Sequence, residues 1–277
     1  EPEAVVAAVY ATGLTDELAA RAWWAMPTAE NARRMLEKQA GVEGDTGKLL
    51  AEFLIEFLPF EEDQSDMIES VRLVLQPGLI TQKEKEKLWA KTKTKRSFYV
   101  GFLHASADDL PVDVAAHPEH EKISQQLSRL LADENPYAIM LEKVLSAKGQ
   151  AFIKTIENAL SKPGNQDVIE SLLAAISKYF KIIIPEQYTE DDIAAICTEA
   201  NLLCCANNSA IHDVLTAIEG PTEKIQAYLC AMTVLACLSV KLVNPIFARS
   251  DAIGTVMRKK IKPVTDPVFE QLKVLRS

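Results

Sequence analysis

Glycine is scarce in this sequence, occurring ten times in 277 residues. The G-x-x-x-x-G-K-[ST] and G-x-G-x-x-G loops are absent, as are the G-x-S-x-G and H-E-x-x-H motifs. Loops that cradle a phosphate need glycine, because only glycine lets the backbone approach the ligand closely. The scarcity of glycine therefore argues against a phosphate-binding enzyme, and we assign no catalytic residue and no cofactor.

Cysteine is also scarce, and its five positions are confined to the last third of the chain: Cys197, Cys204, Cys205, Cys230 and Cys237. An odd number of cysteines favours reduced thiols in a cytoplasmic protein over a disulfide framework. The Cys-x2-Cys spacing of zinc sites is missing, so we predict no metal site. Two interpretations remain open. The cysteines are small apolar core residues, or Cys204 and Cys205 are reactive thiols that carry sulfur.

Long apolar runs are missing. The most apolar stretch, residues 227–240, has 14 residues, whereas a membrane-spanning helix needs about 20. We therefore predict no membrane span and interpret the segment at 225–243, apolar almost all round, as a central buried helix.

Alanine and leucine are abundant, at 35 and 30 residues, which favours an all-α fold. Apolar residues recur at helical spacing, most clearly at Leu49, Leu50, Phe53, Leu54, Phe57 and Leu58. This spacing predicts one helix that buries all six side chains and exposes Glu52 and Glu56. Five threonines precede helical runs and are predicted N-caps: Thr15, Thr28, Thr46, Thr81 and Thr189.

Helices in the first 110 residues are short and regularly interrupted, which resembles the stacked helical hairpins of HEAT or armadillo arrays. Residues 107–120 carry two prolines and four acidic residues and break the helical pattern. We interpret this segment, with His117 and His120, as a solvated linker. The predicted domains are a helical-hairpin domain over residues 1–110 and an irregular helical bundle over residues 111–277.

Basic residues are concentrated between positions 83 and 96, where seven of fourteen residues are lysine or arginine and Trp89 lies among them. Residues 1–110 nevertheless carry 13 Lys and Arg against 19 Asp and Glu, which is not typical of a dedicated nucleic-acid domain. The segment is a solvated helix, a contact for an acidic protein, or an RNA-binding strip. Its candidate binding residues are Lys91, Lys93, Lys95 and Arg96.

Trp23 and Trp24 are adjacent in a helical run, so their side chains diverge by about 100° and point to different surroundings. We expect one ring to pack inside and the other to lie at a domain or partner interface. The alternative is that the second ring is buried against the next hairpin. Both tryptophans are candidate binding residues.

Three segments carry a resemblance to a family: RAWWAMPTAENARRMLE at residues 21–37, LLAEFLIEFLPF at 49–60 and IESVRLVLQPGLI at 68–80. They resemble the DsrS proteins, named for a gene beside those of the reverse-acting dissimilatory sulfite reductase of sulfur-oxidising bacteria. The resemblance covers about the first 110 residues. It implies a soluble cytoplasmic accessory or regulatory protein of sulfur oxidation. Family members are longer at the N terminus, so we expect an upstream segment before Glu1; no catalytic residue of the family is established.

The leading hypothesis is a non-enzymatic protein that acts through protein–protein interaction. One alternative is a thiol-based sulfur carrier that uses Cys204 and Cys205. Another is an RNA-binding post-transcriptional regulator.

Overall fold

The computed structural model describes residues 1–185, 191–205 and 208–277. Within these ranges the chain forms eighteen α-helices and no strand, which confirms the all-α prediction. The chain divides into two compact units, Glu1–Ser106 and Ala107–Ser277.

The first unit lies wholly within the described ranges. It contains eight α-helices and a 3-10 turn at Lys91–Lys93: α1 (Pro2–Tyr10), α2 (Asp16–Ala25), α3 (Ala29–Leu36), α4 (Gln39–Glu43), α5 (Asp45–Phe57), α6 (Gln64–Val74), α7 (Gln82–Ala90) and α8 (Ser97–Ser106).

Threonine caps start several of these helices. The hydroxyl of Thr15 accepts the backbone N–H of Leu18 at the start of α2, and Thr28 caps α3 in the same way. Thr81 forms a capping box with Glu84 at the start of α7. The prediction for Thr46 was wrong, because α5 begins one residue earlier and Thr46 lies buried in its first turn. Thr189 lies outside the described residues.

The core of the first unit forms where α3 packs on α5 and α6 packs on α8. The α6–α8 contact is close because α8 carries Gly101. A Cβ at this position would lie 2.6 Å from Cβ of Val71 on α6, closer than two carbon atoms can pack.

Helix α5 differs from its predicted burial. Leu50, Leu54 and Leu58 are fully buried, as predicted. Leu49 is instead exposed, and Phe53 and Phe57 are only half-buried. The apolar residues cover a wider arc of the helix than the core can accept, so one edge of that arc faces solvent.

The described part of the second unit contains ten α-helices and 3-10 turns at Lys181–Ile183 and Val240–Leu242: α9 (His120–Ala132), α10 (Pro136–Leu145), α11 (Ala147–Ser161), α12 (Gln166–Tyr179), α13 (Ile193–Cys205), α14 (Ser209–Ala217), α15 (Thr222–Ala236), α16 (Asn244–Phe247), α17 (Gly254–Lys260) and α18 (Lys262–Val274).

Helix α15 is the central helix of the second unit, as its apolar sequence predicts. It packs against α10, α12, α13, α14 and α18, and Leu229, Met232 and Leu235 are completely buried. The helix ends at Ala236, earlier than the apolar segment itself.

No single helix in the described ranges is long and apolar enough to span a membrane. Thr222–Ala236 and Val240–Phe247 pass a test of length and composition only as a pair, and the pair is bent by 85°.

The residues before α9 are only partly solvated: Asp108 and Asp109 are exposed, but His117 is buried, so the prediction of a solvated loop was wrong at His117. The carboxylate of Asp108 lies 2.9 Å from Nζ of Lys143. The backbone N–H of His117 donates to the carbonyl of Leu145 at 2.8 Å, and the residue is 4% exposed. A buried imidazole must find hydrogen-bond partners inside the protein, and His117 Nδ1 accepts the N–H of Glu119.

Candidate functional site

The two most exposed large apolar side chains in the described residues both belong to the first unit. Trp24 at the end of α2 is 87% exposed, and Phe60 just after α5 is 75% exposed. Large aromatic side chains in solvent are the residues that most often anchor a protein interface. The surface around them is therefore the candidate site.

A row of aromatic contacts leads from Trp23, the neighbour of Trp24 in the sequence, to Phe60. Trp23 packs edge-on against Phe53, with 4.8 Å between ring centroids. Phe53 stacks on Phe57 at 5.8 Å, and Phe57 contacts Phe60 at 6.4 Å. Because Leu49 precedes Phe53 by one helical turn, the row continues along α5. We call the six side chains the aromatic surface: Trp23, Trp24, Leu49, Phe53, Phe57 and Phe60.

A cavity of about 480 Å³ opens at one end of the aromatic surface, between α2 and α5. Its walls are formed mainly by apolar side chains: Ala20, Trp23, Trp24, Pro27, Thr46 and Leu49. This volume lies within the range of roughly 300–1,000 Å³ seen for ligand pockets. The cavity has room for a large apolar side chain.

Acidic side chains border the aromatic surface on α5. Glu52 and Glu56 are exposed, and each follows an apolar member of the surface by three residues, which places it on the adjoining strip of the helix. Neither carboxylate forms an ion pair or a side-chain hydrogen bond within the described ranges. The border is negatively charged and free to pair with a cationic partner.

The basic segment predicted to bind a partner lies on the same unit, at the end of α7 and in the turn that follows. Lys91 and Lys93 are exposed, whereas Lys95 and Arg96 are half-buried. The guanidinium of Arg96 lies 5.6 Å from the ring centroid of Tyr99, a cation–π contact within the unit. Only two of the four candidates therefore extend into solvent.

Trp89, the aromatic residue of the basic segment, contacts other rings of the first unit. Its ring packs edge-on against Tyr99 at 5.3 Å and Phe102 at 4.9 Å, and Phe102 is fully buried. Base stacking requires a free ring face beside the lysines. The packing of Trp89 disfavours the RNA-binding interpretation.

A buried ionic cluster lies elsewhere in the first unit, where α3 meets α6. The guanidinium of Arg33 lies 3.0 Å from Glu61 and 2.7 Å from Asp66, and Arg33 also donates to Ser70 at 3.3 Å. Burial raises the pKa of Asp66, and Arg33 lowers it to a smaller extent. These groups satisfy one another, so we assign the cluster a structural role.

The cysteines occupy α13 and α15. Cys204 and Cys237 are buried, as expected of small core residues, whereas Cys205 is exposed and Cys197 and Cys230 are half-buried. A sulfur carrier needs an accessible thiol, which Cys204 lacks and Cys205 has. Within the described residues, no group of three or more His, Cys, Asp or Glu side chains is arranged to hold a metal ion.

Comparison with known proteins found no matching family model, no matching curated protein and no matching solved structure.

Sequence reasoning identified Trp23 and Trp24 but missed the rest of the aromatic surface. The helical spacing predicts core positions for Leu49, Phe53 and Phe57, and it makes no prediction for Phe60, which follows the last apolar position of the series. The signal in the sequence is the width of the apolar arc on α5, which spans about half of the helix circumference. A helix that packs on one side of a small unit buries a narrower arc, so the excess indicates an exposed apolar strip.

Proposed function

We propose that this chain is a non-enzymatic interaction protein whose aromatic surface binds an amphipathic helix of a partner protein. The observation that carries the proposal is the presence of an exposed aromatic side chain at each end of the aromatic surface. Trp24 lines the cavity together with Trp23 and Leu49, and Phe60 ends the row of ring contacts. An elongated surface with a side-chain-sized cavity at one end suits a helix that presents anchors at i, i+3, i+4 and i+7.

The acidic side chains beside the aromatic surface indicate the charge of the partner helix. Glu52 and Glu56 lie unpaired beside the apolar strip, so the flanks of a bound helix should carry lysine or arginine. Opposite charges at the border raise the rate of encounter and select against acidic helices. The proposed occupant is therefore a basic amphipathic helix.

The cellular setting is proposed on the resemblance of residues 1–110 to the DsrS proteins. On this basis the protein is a cytoplasmic accessory or regulatory protein of sulfur oxidation, and its partner belongs to that system. The odd number of cysteines argues against a disulfide framework, which agrees with a cytoplasmic location.

Fluorescence anisotropy with a labelled synthetic peptide tests the proposed binding mode. The peptide has about three helical turns, with leucines on one face and lysines on the other. A second peptide keeps the leucines and replaces every lysine by glutamate. We expect the basic peptide to bind, more weakly at higher salt, and the acidic peptide to bind at least about tenfold more weakly.

Variants of exposed residues locate the binding surface. Trp24→Ala and Phe60→Ala should each weaken binding by about tenfold or more, since anchor residues contribute about 2 kcal/mol. The double variant Glu52→Lys, Glu56→Lys should have a lower affinity for the basic peptide and a higher affinity for the acidic peptide. Ile253→Ala, an exposed apolar residue of the second unit, serves as the matched control and should bind normally.

Three results would count against the proposal. They are failure of both peptides to bind, equal binding of both peptides, and unchanged affinity of the Trp24 and Phe60 variants. If the double variant Lys91→Glu, Lys93→Glu loses affinity for the peptide while Trp24→Ala keeps it, the peptide binds at the basic segment and not at the aromatic surface.

A further inference from the structure

Two cysteines that are distant in sequence meet where α13 packs along α15. Sγ of Cys230 on α15 lies 3.5 Å from the backbone carbonyl oxygen of Ala200, which precedes Cys204 on α13 by one helical turn. All five cysteines of the chain are free thiols in this structure. The pair is separate from the aromatic surface, which belongs to the first unit.

Helix α13 holds the Cys230 sulfur in place. Sγ of Cys230 lies 3.2 Å from Oδ1 of Asn201 and 3.5 Å from the carbonyl oxygen of Ala200. Nδ2 of Asn201 donates to the carbonyl of Cys197 at 2.8 Å, which turns Oδ1 toward Cys230. Ala200 precedes Cys204 by one helical turn, so the anchored sulfur lies over the same face of α13 as the Cys204 side chain.

The two thiols differ in access and in acidity. Cys204 is 3% exposed, whereas Cys230 is half-buried and reachable from solvent. A hydrogen bond from Cys204 lowers the pKa of Cys230. The same hydrogen bond, together with burial, raises the pKa of Cys204. An accessible thiol of lowered pKa beside a protected one is the arrangement of an attacking and a resolving cysteine.

We propose that Cys204 and Cys230 form a redox-active dithiol that low-molecular-weight disulfides oxidise to an internal disulfide. Cys230 is the attacking residue and Cys204 the resolving residue. The product links α13 to α15 covalently.

The reaction has two exchange steps. The thiolate of Cys230 attacks one sulfur of the small disulfide, whose S–S bond breaks, and one small thiol leaves after taking up a proton. Cys204 then loses its proton, and its sulfur attacks Sγ of Cys230 and displaces the second small thiol. In total, two protein thiols are oxidised to one disulfide, and one small disulfide is reduced to two thiols. The new S–S bond has a length of about 2.05 Å.

The other cysteines provide internal controls. Cys205 is exposed, and its Sγ accepts a hydrogen bond from Nε2 of Gln226 at 3.0 Å. Cys237 is buried, and burial raises its pKa to about 12, so this thiol is not an attacking residue. Cys197 is half-buried, and burial raises its pKa.

Intact mass spectrometry after incubation of the full chain with oxidised glutathione tests the proposal. We expect the wild-type protein to lose about 2 Da as the two thiol hydrogens leave. Peptide mapping after alkylation without reduction should find Cys204 joined to Cys230. Dithiothreitol should restore the original mass.

Single substitutions separate the two roles. In Cys204→Ala, a small apolar replacement for a buried side chain, the mixed disulfide on Cys230 has no resolving thiol and should accumulate as a glutathione adduct. Cys230→Ser should give neither the internal disulfide nor an adduct at that position. Cys205→Ser should still lose about 2 Da. Circular dichroism of each variant checks that it is folded.

Several outcomes would overturn the proposal. They are an unchanged wild-type mass, a disulfide that joins Cys230 to Cys197, and an internal disulfide that persists in Cys230→Ser. An adduct confined to Cys205, with Cys204 and Cys230 still alkylated, would also overturn it. If Cys204→Ala is unfolded, the wild-type disulfide map and the Cys230→Ser result decide the matter.

Discussion

The indole of Trp23 on α2 packs edge-on against the ring of Phe53 on α5, with 4.8 Å between the ring centroids. Edge-to-face aromatic pairs contribute about 0.5–1.5 kcal/mol beyond the area that they bury. This pair fixes the positions of the neighbouring side chains, since Trp24 follows Trp23 directly and Phe57 stacks on Phe53. We therefore assign stability to the half-buried rings of Trp23 and Phe53, and binding to the exposed rings of Trp24 and Phe60.

Replacing Phe53 tests this division. Phe53→Ala removes the ring between Trp23 and Phe57, and we expect the free energy of unfolding to fall by about 1–3 kcal/mol. Phe60→Ala removes a ring of the same size that is 75% exposed, and its effect should stay within about 0.5 kcal/mol. Urea unfolding measures both. Equal losses for the two variants would contradict the assignment.

Replacing Arg33 tests the buried ionic cluster. Arg33→Met keeps most of the side-chain volume but leaves Glu61 and Asp66 without their cation, so we expect a loss of about 2–4 kcal/mol in urea unfolding. Arg21→Met removes an exposed ion pair with Glu17 and should cost under about 1 kcal/mol.

The titration of Asp66 checks the same cluster independently. Because Arg33 lowers the pKa of Asp66, Arg33→Met should raise it further. Carboxyl NMR shifts followed against pH would show the change. An unchanged pKa of Asp66 in a folded Arg33→Met variant would show that Arg33 does not influence this carboxylate.

Stability should fall when the solution is made mildly acidic, because of His117. Burial lowers the pKa of this imidazole below its usual 6.5. The unfolded chain then takes up the proton at a higher pH than the folded chain, so protonation favours unfolding. The stabilisation by neutral His117 is complete above about pH 6.5 and is lost as the pH falls through the pKa of His117 in the folded chain. Over this range the free energy of unfolding changes by at most about 1.4 kcal/mol per pH unit.

Two histidine variants isolate this effect in urea unfolding at pH 5 to 7.5. His117→Asn should flatten the pH dependence in this window, at a cost in overall stability. His212→Gln, at an exposed position, should leave the dependence as in the wild type. An identical slope in His117→Asn and the wild type would assign the effect to another group.

Gly101 tests the contact between α6 and α8. Gly101→Ala improves helix propensity by about 1 kcal/mol, yet its methyl group would lie 2.6 Å from Cβ of Val71. We expect the helices to separate and the net loss of stability to be about 1–3 kcal/mol. Gly13→Ala, where the added methyl meets no atom within 4 Å, should be neutral or slightly stabilising in thermal unfolding.

Local signals in the sequence were sufficient for the fold class. Helical periodicity and the caps at Thr15, Thr28 and Thr81 depend on residues within one or two turns, and the structure confirms them. The cap at Thr46 failed because the turn through Gly44 starts α5 earlier than the threonine. The HEAT-like description of the first half remains a prediction.

The candidate sites depend on contacts between distant residues, and this limits prediction from sequence. Leu49 and Leu50 are both apolar, and only the packing of α5 against α2, α3, α4 and α6 determines that Leu50 is buried while Leu49 is exposed. Cys204 and Cys230 are 26 positions apart and meet only through the packing of α13 on α15. His117, which precedes α9, likewise meets a distant residue, since its backbone N–H donates to the carbonyl of Leu145 at the end of α10.

Helix α5 carries core leucines on one side and the aromatic surface on the adjacent side. Unfolding of this helix removes both at once, so the folded unit is the only form of the chain that can bind a helix at the aromatic surface. Occupancy therefore shifts the folding equilibrium by mass action: a partner present at one hundred times its Kd adds about 2.7 kcal/mol to the free energy of unfolding. In a cell, the lifetime of this protein against proteolysis would then follow the supply of its partner.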